Sequence, residues 1–442
     1  MLTRSLFYYS YRRFSRFTQW YERRFTGTGR LAMAAMLAFA IFGVDTEQTT
    51  AYRGFTYLVS LLVLAMAACL LFRSRFAIRR ELPRFATAGE PLDYRLLVRN
   101  LNRGAERGLT LFEDLDYTFP SREEFAQARE PGAKRNRIDQ AMGFYLWTWL
   151  LAERRNGTVE TRELPALPPG TETAVSMRLT ARRRGVVRFA GVSIARTDPL
   201  RLCRAFFRAS APESVLVLPR RYRLPPITLP GQRRYQPGGV AQAASAGDSE
   251  EFFGLRDYRP GDALQRMHWK SFARAGKPIV KEFHSEFFER HALALDTAFA
   301  PAGEQAFEAA VSVAASFVYT LDTQECLLDM LFVGEQAHVY TAGRGLLRTE
   351  HLLEVLAGVR MCGHDALARL ETAVLARGGG LASCILVLAG WDDARRELLL
   401  SLRRAGLQVL AMAVVADDTV IAPEHGVRRL RIGHVQQDLW EL

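Results

Sequence analysis

The chain has 442 residues, 49% of them hydrophobic and 24% charged. That length calls for about three folding units, and the composition excludes an intrinsically disordered chain. The formal net charge is +12, but residues 1–80 alone hold twelve Arg against Glu22, Asp45 and Glu47, a balance of +9 that leaves +3 for the rest. After residue 80 the longest basic run is Arg182–Arg184, so nucleic acid is not an expected partner.

The basic N-terminus surrounds two apolar runs. Leu31–Val44 carries no charge over 14 residues and Gly54–Phe72 none over 19. A spanning helix needs about 20 apolar residues, so the second run suffices alone, and the first suffices once Thr26–Gly29 extends it and Arg30 reaches the headgroups. Spans over 26–44 and 54–72 are expected. Residues 1–30 hold seven Arg and 73–80 four, whereas the linker Asp45–Arg53 nets −1. The positive-inside rule then puts both termini in the cytoplasm. Trp20, Tyr21 and Tyr57 are expected interface anchors, and the lipid bilayer is an expected partner. A signal peptide fits poorly, because the first run begins 30 residues in and a second follows at once. Five scattered Cys, with no Cys-x-x-Cys pair, fit a reducing compartment and give no zinc spacing.

Residues 81–219 read as an immunoglobulin-like β-sandwich. Tyr94–Val98, Leu109–Phe112, Thr173–Thr180, Val186–Ile194 and Val215–Pro219 are short apolar or alternating runs bounded by turn residues. Residues 121–156 interrupt them with a helical insertion that ends in the aromatic Met142–Ala152. Eleven residues cannot span a bilayer, so this helix either packs on the sandwich or lies along a membrane surface. Residues 220–247 read as a linker. From 287 to 442, buried strands (His291–Asp296, Leu327–Phe332, Leu381–Leu388, Leu407–Val415) alternate with helices (Gly303–Thr320, Leu347–Gly358, Asp392–Ala405), and Ala337–Tyr340 returns antiparallel. That order implies a doubly wound, mostly parallel sheet. The fold class expected for the whole is α+β multidomain.

Between sandwich and sheet lies the segment 248–286. Arg259-Pro260-Gly261-Asp262 is a turn. Asp262 is a natural N-cap with Gln265 closing a capping box, and Gly276 a natural C-terminal stop. A helix over Ala263–Ala275 would align Asp262, Arg266, Lys270 and Arg274 in one polar stripe. Two readings of the stripe stay open: an internal network fixing domain geometry, or a docking face with Trp269 as anchor. Arg266 is expected to be structural and Arg274 the more exposed. Ile279–Phe283 reads as a strand, expected antiparallel to His291–Asp296.

Glu251-Phe252, Leu255-Arg256, Tyr258, Gly261-Asp262, Trp269-Lys270, Ala273-Arg274 and Val280-Lys281-Glu282-Phe283 resemble the hallmark of the bacterial family called domain of unknown function 58. Gln265-Arg266-Met267 stands where that family usually has Arg-Arg-Ile. The resemblance implies a von Willebrand factor A-like sheet at the C-terminus and a protein of the bacterial inner membrane. It also implies partnership with a MoxR-type AAA+ ATPase and other von Willebrand A-like proteins, in assembly or maturation of other proteins.

The von Willebrand A fold often holds a divalent ion through Asp-x-Ser-x-Ser. The matching run here is Asp296-Thr297-Ala298-Phe299-Ala300, and two methyl groups supply none of the oxygens that magnesium demands. No metal and no other cofactor is expected. An enzyme is the rival reading: Asp262, Glu282 and Glu286 with His268 and His284 would form a hydrolase-like set. No nucleophile elbow accompanies them, and no catalytic residue is assigned.

Overall fold

The computed structural model describes residues 2–42, 49–116, 118–128, 136, 139, 142–226, 235–237, 251–284, 287–300, 303–321, 326–343, 348–363 and 365–441. The chain divides into two compact units, Met1–Leu218 and Pro219–Leu442. Most of the expected linker, and Glu286, lie outside the described residues.

The first unit opens with three helices: α1 (Leu2–Arg24), α2 (Gly27–Phe42) and α3 (Thr49–Leu70). Among the described residues, Thr50–Leu70 is the one stretch both long and apolar enough to cross a membrane; Gly27–Ile41 is a shorter apolar helix. The helix α3 therefore begins before the expected 54. α2 and α3 pack together, and a Cβ on Gly54 would come within 3.2 Å of the Phe39 ring.

A sandwich follows. One sheet has the order β1 (Phe76–Glu81), β3 (Pro91–Asn100), β7 (Glu172–Ala181), β5 (Gly157–Val159). The other has β2 (Phe85–Thr87), β9 (Arg204–Leu218), β8 (Gly185–Thr197), β4 (Leu109–Leu115), β6 (Arg162–Glu163). Alternate residues point inward, as the two-residue repeat of a strand demands: Tyr94, Leu96 and Val98 on β3 meet Met177 and Leu179 on β7, and Val187, Phe189 and Val192 on β8. Within this core the buried Arg80 forks onto Glu113 at 3.1 and 2.8 Å, and the Tyr94 hydroxyl donates to the same carboxylate at 2.8 Å.

Two short helices, α4 (Arg122–Gln127) and α5 (Phe144–Arg154), interrupt the sandwich strands. Neither reading of the aromatic insertion anticipated its partner, which is α1. Trp147 is buried against Tyr8 and Phe125, with the Tyr8 and Trp147 rings edge to face at 5.7 Å. The Trp147 indole N–H donates to Ser15 Oγ at 2.9 Å.

The joint between α1 and α2 is stitched to the turn Asp198–Cys203. Asp198 gathers the N–H groups of Leu200, Leu202 and Cys203. Thr26 N–H donates to Leu202 O at 3.1 Å, and Thr28 Oγ1 to Arg201 O at 2.5 Å. Gly29 is required here, since a Cβ would lie 2.0 Å from Leu202 O.

In the second unit a parallel sheet runs β14 (Cys326–Val333), β13 (Phe287–Leu295), β16 (Ser383–Leu388), β17 (Val409–Val415), β18 (Val427–Arg431), with β15 (Ala337–Ala342) antiparallel beside β14. Every residue of β16 is buried, as a strand covered on both faces requires. Cys384, Leu386 and Leu388 pack with α9 (Ala366–Leu375) and α10 (Asp393–Arg404), while α7 (Glu304–Thr320) and α8 (Thr349–Gly358) pack together elsewhere on the sheet. The residues read as linker contain a strand, β10 (Tyr235–Pro237), antiparallel to the start of β13.

Candidate functional site

The signature segment is a hairpin. β11 (Glu251–Asp257) pairs antiparallel with β12 (Ile279–His284), from Asp257 opposite Ile279 to Glu251 opposite His284. The expected pairing of Ile279–Phe283 with His291–Asp296 is therefore wrong: β11 supplies the partner, and β13 is paired on both sides within the parallel sheet.

The continuous helix expected over Ala263–Ala275 is also wrong. A 3-10 turn occupies Leu264–Arg266 and a short helix, α6, only Trp269–Ala275. Two contacts break it. Met267 is extended and bridges Val280, while His268 N–H donates to Ile279 O at 2.8 Å, so the chain is held against β12 where the helix would have continued. Asp262 is not an N-cap, and no capping box forms. Its carboxylate instead accepts both arms of the Arg256 guanidinium at 2.7 Å each, and Arg259 N–H at 2.8 Å. Bidentate charge-assisted bonds of this kind are among the strongest available to a carboxylate. The hydrogen bond from Arg256, ahead of that from Arg259 N–H, holds the Asp262 carboxyl down at about 2.

The four-residue stripe consequently splits. Lys270 and Arg274 still share a face of α6, but Arg266 lies on the 3-10 turn and is exposed. Trp269 is 63% exposed, with the Phe272 ring edge-on at 6.1 Å, and Leu255 and Leu264 are exposed as well. Gly261 (φ 107°) makes the turn beside Asp262, and Tyr258 and Lys281 are half-buried on the hairpin. The strands carry Glu251, Phe252 and Glu282, whose side chains lie outside the described residues.

A second constellation sits where β13 ends. In an open parallel sheet, the place where successive crossovers leave to opposite sides forms a crevice at the carboxyl ends of the strands. Here that place lies between β13 and β16, and Asp296 follows β13 directly. Asp296 is wholly buried and receives three donors: Ala298 N–H at 2.9 Å, Ala389 N–H at 3.0 Å and Arg395 Nε at 2.7 Å. Arg395, 2% exposed, also donates to Asp392 Oδ2 at 2.6 Å and to Phe299 O at 3.1 Å. Burial pushes the Asp296 carboxyl up, while the guanidinium and the two N–H groups pull it back.

Ala298 and Ala300 are buried beside it. These residues do not suit a divalent ion: one guanidinium already claims the carboxylate, and the adjacent methyl groups offer no oxygen. Arg395 was not anticipated from the sequence. Its signal was there, because a cation in the first turn of a helix opposes the helix dipole and so calls for a carboxylate nearby.

Residues 254–431 are matched by the family described as Protein of unknown function DUF58. Over these residues the chain is similar to that family. The DUF58 match takes in most of the hairpin, Asp296 and Arg395. The chain is also similar to "Uncharacterized protein YeaD" of Bacillus subtilis (strain 168), 25% identical over 199 residues. That alignment covers 44% of this chain and 48% of the relative, about half its length. Among solved structures, the CARDB domain of PF1109 from Pyrococcus furiosus is 9% identical at a TM-score of 0.15, covering 31% of this chain and 94% of that domain. A beta-glucosidase from Listeria innocua is 15% identical at 0.17, covering 33% of this chain and 16% of the other.

Proposed function

We propose that the chain is an adaptor anchored in the bacterial inner membrane by two spans, 26–44 and 54–72, with both termini in the cytoplasm. On this reading its second unit is a von Willebrand A-like domain without a metal, and it docks a MoxR-type AAA+ ATPase that acts in assembly or maturation of other proteins. The observation that carries the reading is the DUF58 hairpin, where exposed Trp269 and Leu264 stand beside Arg266, Lys270 and Arg274. Aromatic and Arg side chains of this kind supply most of the energy at protein interfaces, and the surrounding charge selects an acidic partner.

The rival hydrolase would draw on Asp262, Glu282 and Glu286 with His268 and His284. A carboxyl held at about 2 and already occupied by Arg256 is a poor proton acceptor at neutral pH. The test is capture of the purified ATPase by the full chain. Trp269→Ala is expected to cost about 2 kcal/mol of binding, roughly thirtyfold in Kd. Lys270→Glu with Arg274→Glu should weaken capture most at low salt. Undiminished capture by all of these variants would reject the hairpin as the docking face.

A further inference from the structure

We propose that the outer face of α1 lies on an anionic phospholipid surface, an inference that rests on the reading that α3 sits in a bilayer. α1 has two faces with different chemistry. Its inner face is fixed to the protein: the Tyr8 hydroxyl donates to Pro120 O at 2.9 Å, the Tyr11 hydroxyl to Met142 O at 3.0 Å, and Ser15 accepts from the Trp147 indole. These contacts set the rotation of the helix about its axis.

With that rotation fixed, Tyr9, Phe14 and Phe17 are 57, 60 and 57% exposed, and Ser10 and Arg13 are exposed among them, whereas Arg16, at the edge of the face, stacks over the Phe119 ring. Leu2–Arg24 holds six Arg and a single acid, Glu22. Large aromatic rings left in water are costly, so this face calls for an occupant. Aromatic rings settle at headgroup depth, and Arg side chains pair with lipid phosphates, so the two residue types suit one surface.

Continuity favours lipid over protein as the occupant. Only Phe25 and Thr26 separate Arg24 from the apolar helix α2, and the joint is tied to the sandwich through Thr26, Thr28 and Gly29. A helix so close to an apolar anchor meets the bilayer surface before any soluble partner. α1 then acts as a third membrane contact that senses headgroup charge, beside two spans that do not.

The experiment uses the full chain with Ser10→Cys, reconstituted into vesicles of phosphatidylcholine alone or with added phosphatidylglycerol. Labelling of Cys at this position by an impermeant maleimide is followed by mass spectrometry of the N-terminal peptide, and alkaline carbonate extraction reports the spans. Labelling is expected to be several-fold slower in the anionic vesicles. High salt, or Arg13→Glu, should abolish the difference while the chain still resists carbonate. Equal rates in both vesicles, with the chain carbonate-resistant, overturn the proposal and leave the spans intact. Release by carbonate from both vesicles overturns the spans and the proposal with them. Protection in detergent by the purified ATPase, and none by anionic vesicles, would assign the face to a protein and overturn the proposal.

Discussion

Arg395 supplies, from 99 residues away, the positive charge that Asp296 needs at the end of β13. Removing one partner of a buried ion pair costs about 3–5 kcal/mol, because the other stays buried and uncompensated. Arg395→Ala should therefore lower the thermal midpoint sharply. Arg395→Lys, which keeps the charge but loses the fork, should lower it less. Millimolar magnesium should leave the midpoint of the unaltered protein where it is, since a ligand of the native state would raise it by linkage; a saturable rise abolished by Asp296→Ala would contradict the account. At Asp262 the sign of the pH effect follows from a folded carboxyl held at about 2, below the usual ~3.9. The stabilisation from Arg256 is fully present above the unfolded value and is lost as pH falls toward the folded one. Acid unfolding of Asp262→Asn should accordingly lack the part of the pH dependence that lies between those values; an acid limb identical to that of the unaltered protein would reject the assignment.

At the scale of elements, the joint around Gly29 is the most sensitive to a small change. An added Cβ 2.0 Å from Leu202 O forces backbone to move, and overpacking typically costs about 1–3 kcal/mol. Gly29→Ala should lower the melting midpoint of the chain in detergent, whereas Gly27→Ala, with open space around its Cβ position, should not. Equal midpoints would show that the stitching does not hold. The elements that were legible in the sequence are those set by local pattern. The alternation of Thr173–Thr180 appears as β7, with Val175, Met177, Leu179 and Ala181 inward, and the apolar Leu381–Leu388 contains the fully buried β16. What was not legible depends on distant partners. Turn and cap rules favoured one helix over Ala263–Ala275, but Arg256 claimed Asp262 and Val280 claimed Met267. The same limit hid the pairing of β11 with β12, the strand β10 and the Asp296–Arg395 pair. α1 escaped notice for another reason: its Arg residues served the charge balance, and its aromatics find partners only once α5 is folded against them.

For the whole molecule, the two units carry different tasks in this account. Met1–Leu218 joins the apolar helices to a sandwich, and Pro219–Leu442 carries the DUF58 hairpin and the Asp296–Arg395 pair. Only if the second unit stands in the cytoplasm can its hairpin meet an ATPase there. The claim on which the account depends is therefore one of topology, argued from eleven Arg on the two flanks against a linker of −1. The most direct measurement fuses reporters after Leu442: alkaline phosphatase, active only in the periplasm, and a fluorescent protein that matures only in the cytoplasm. A fluorescent fusion with an inactive phosphatase is the predicted result. An active phosphatase with a dark fluorescent fusion would put the hairpin on the wrong side of the membrane and contradict the adaptor reading outright.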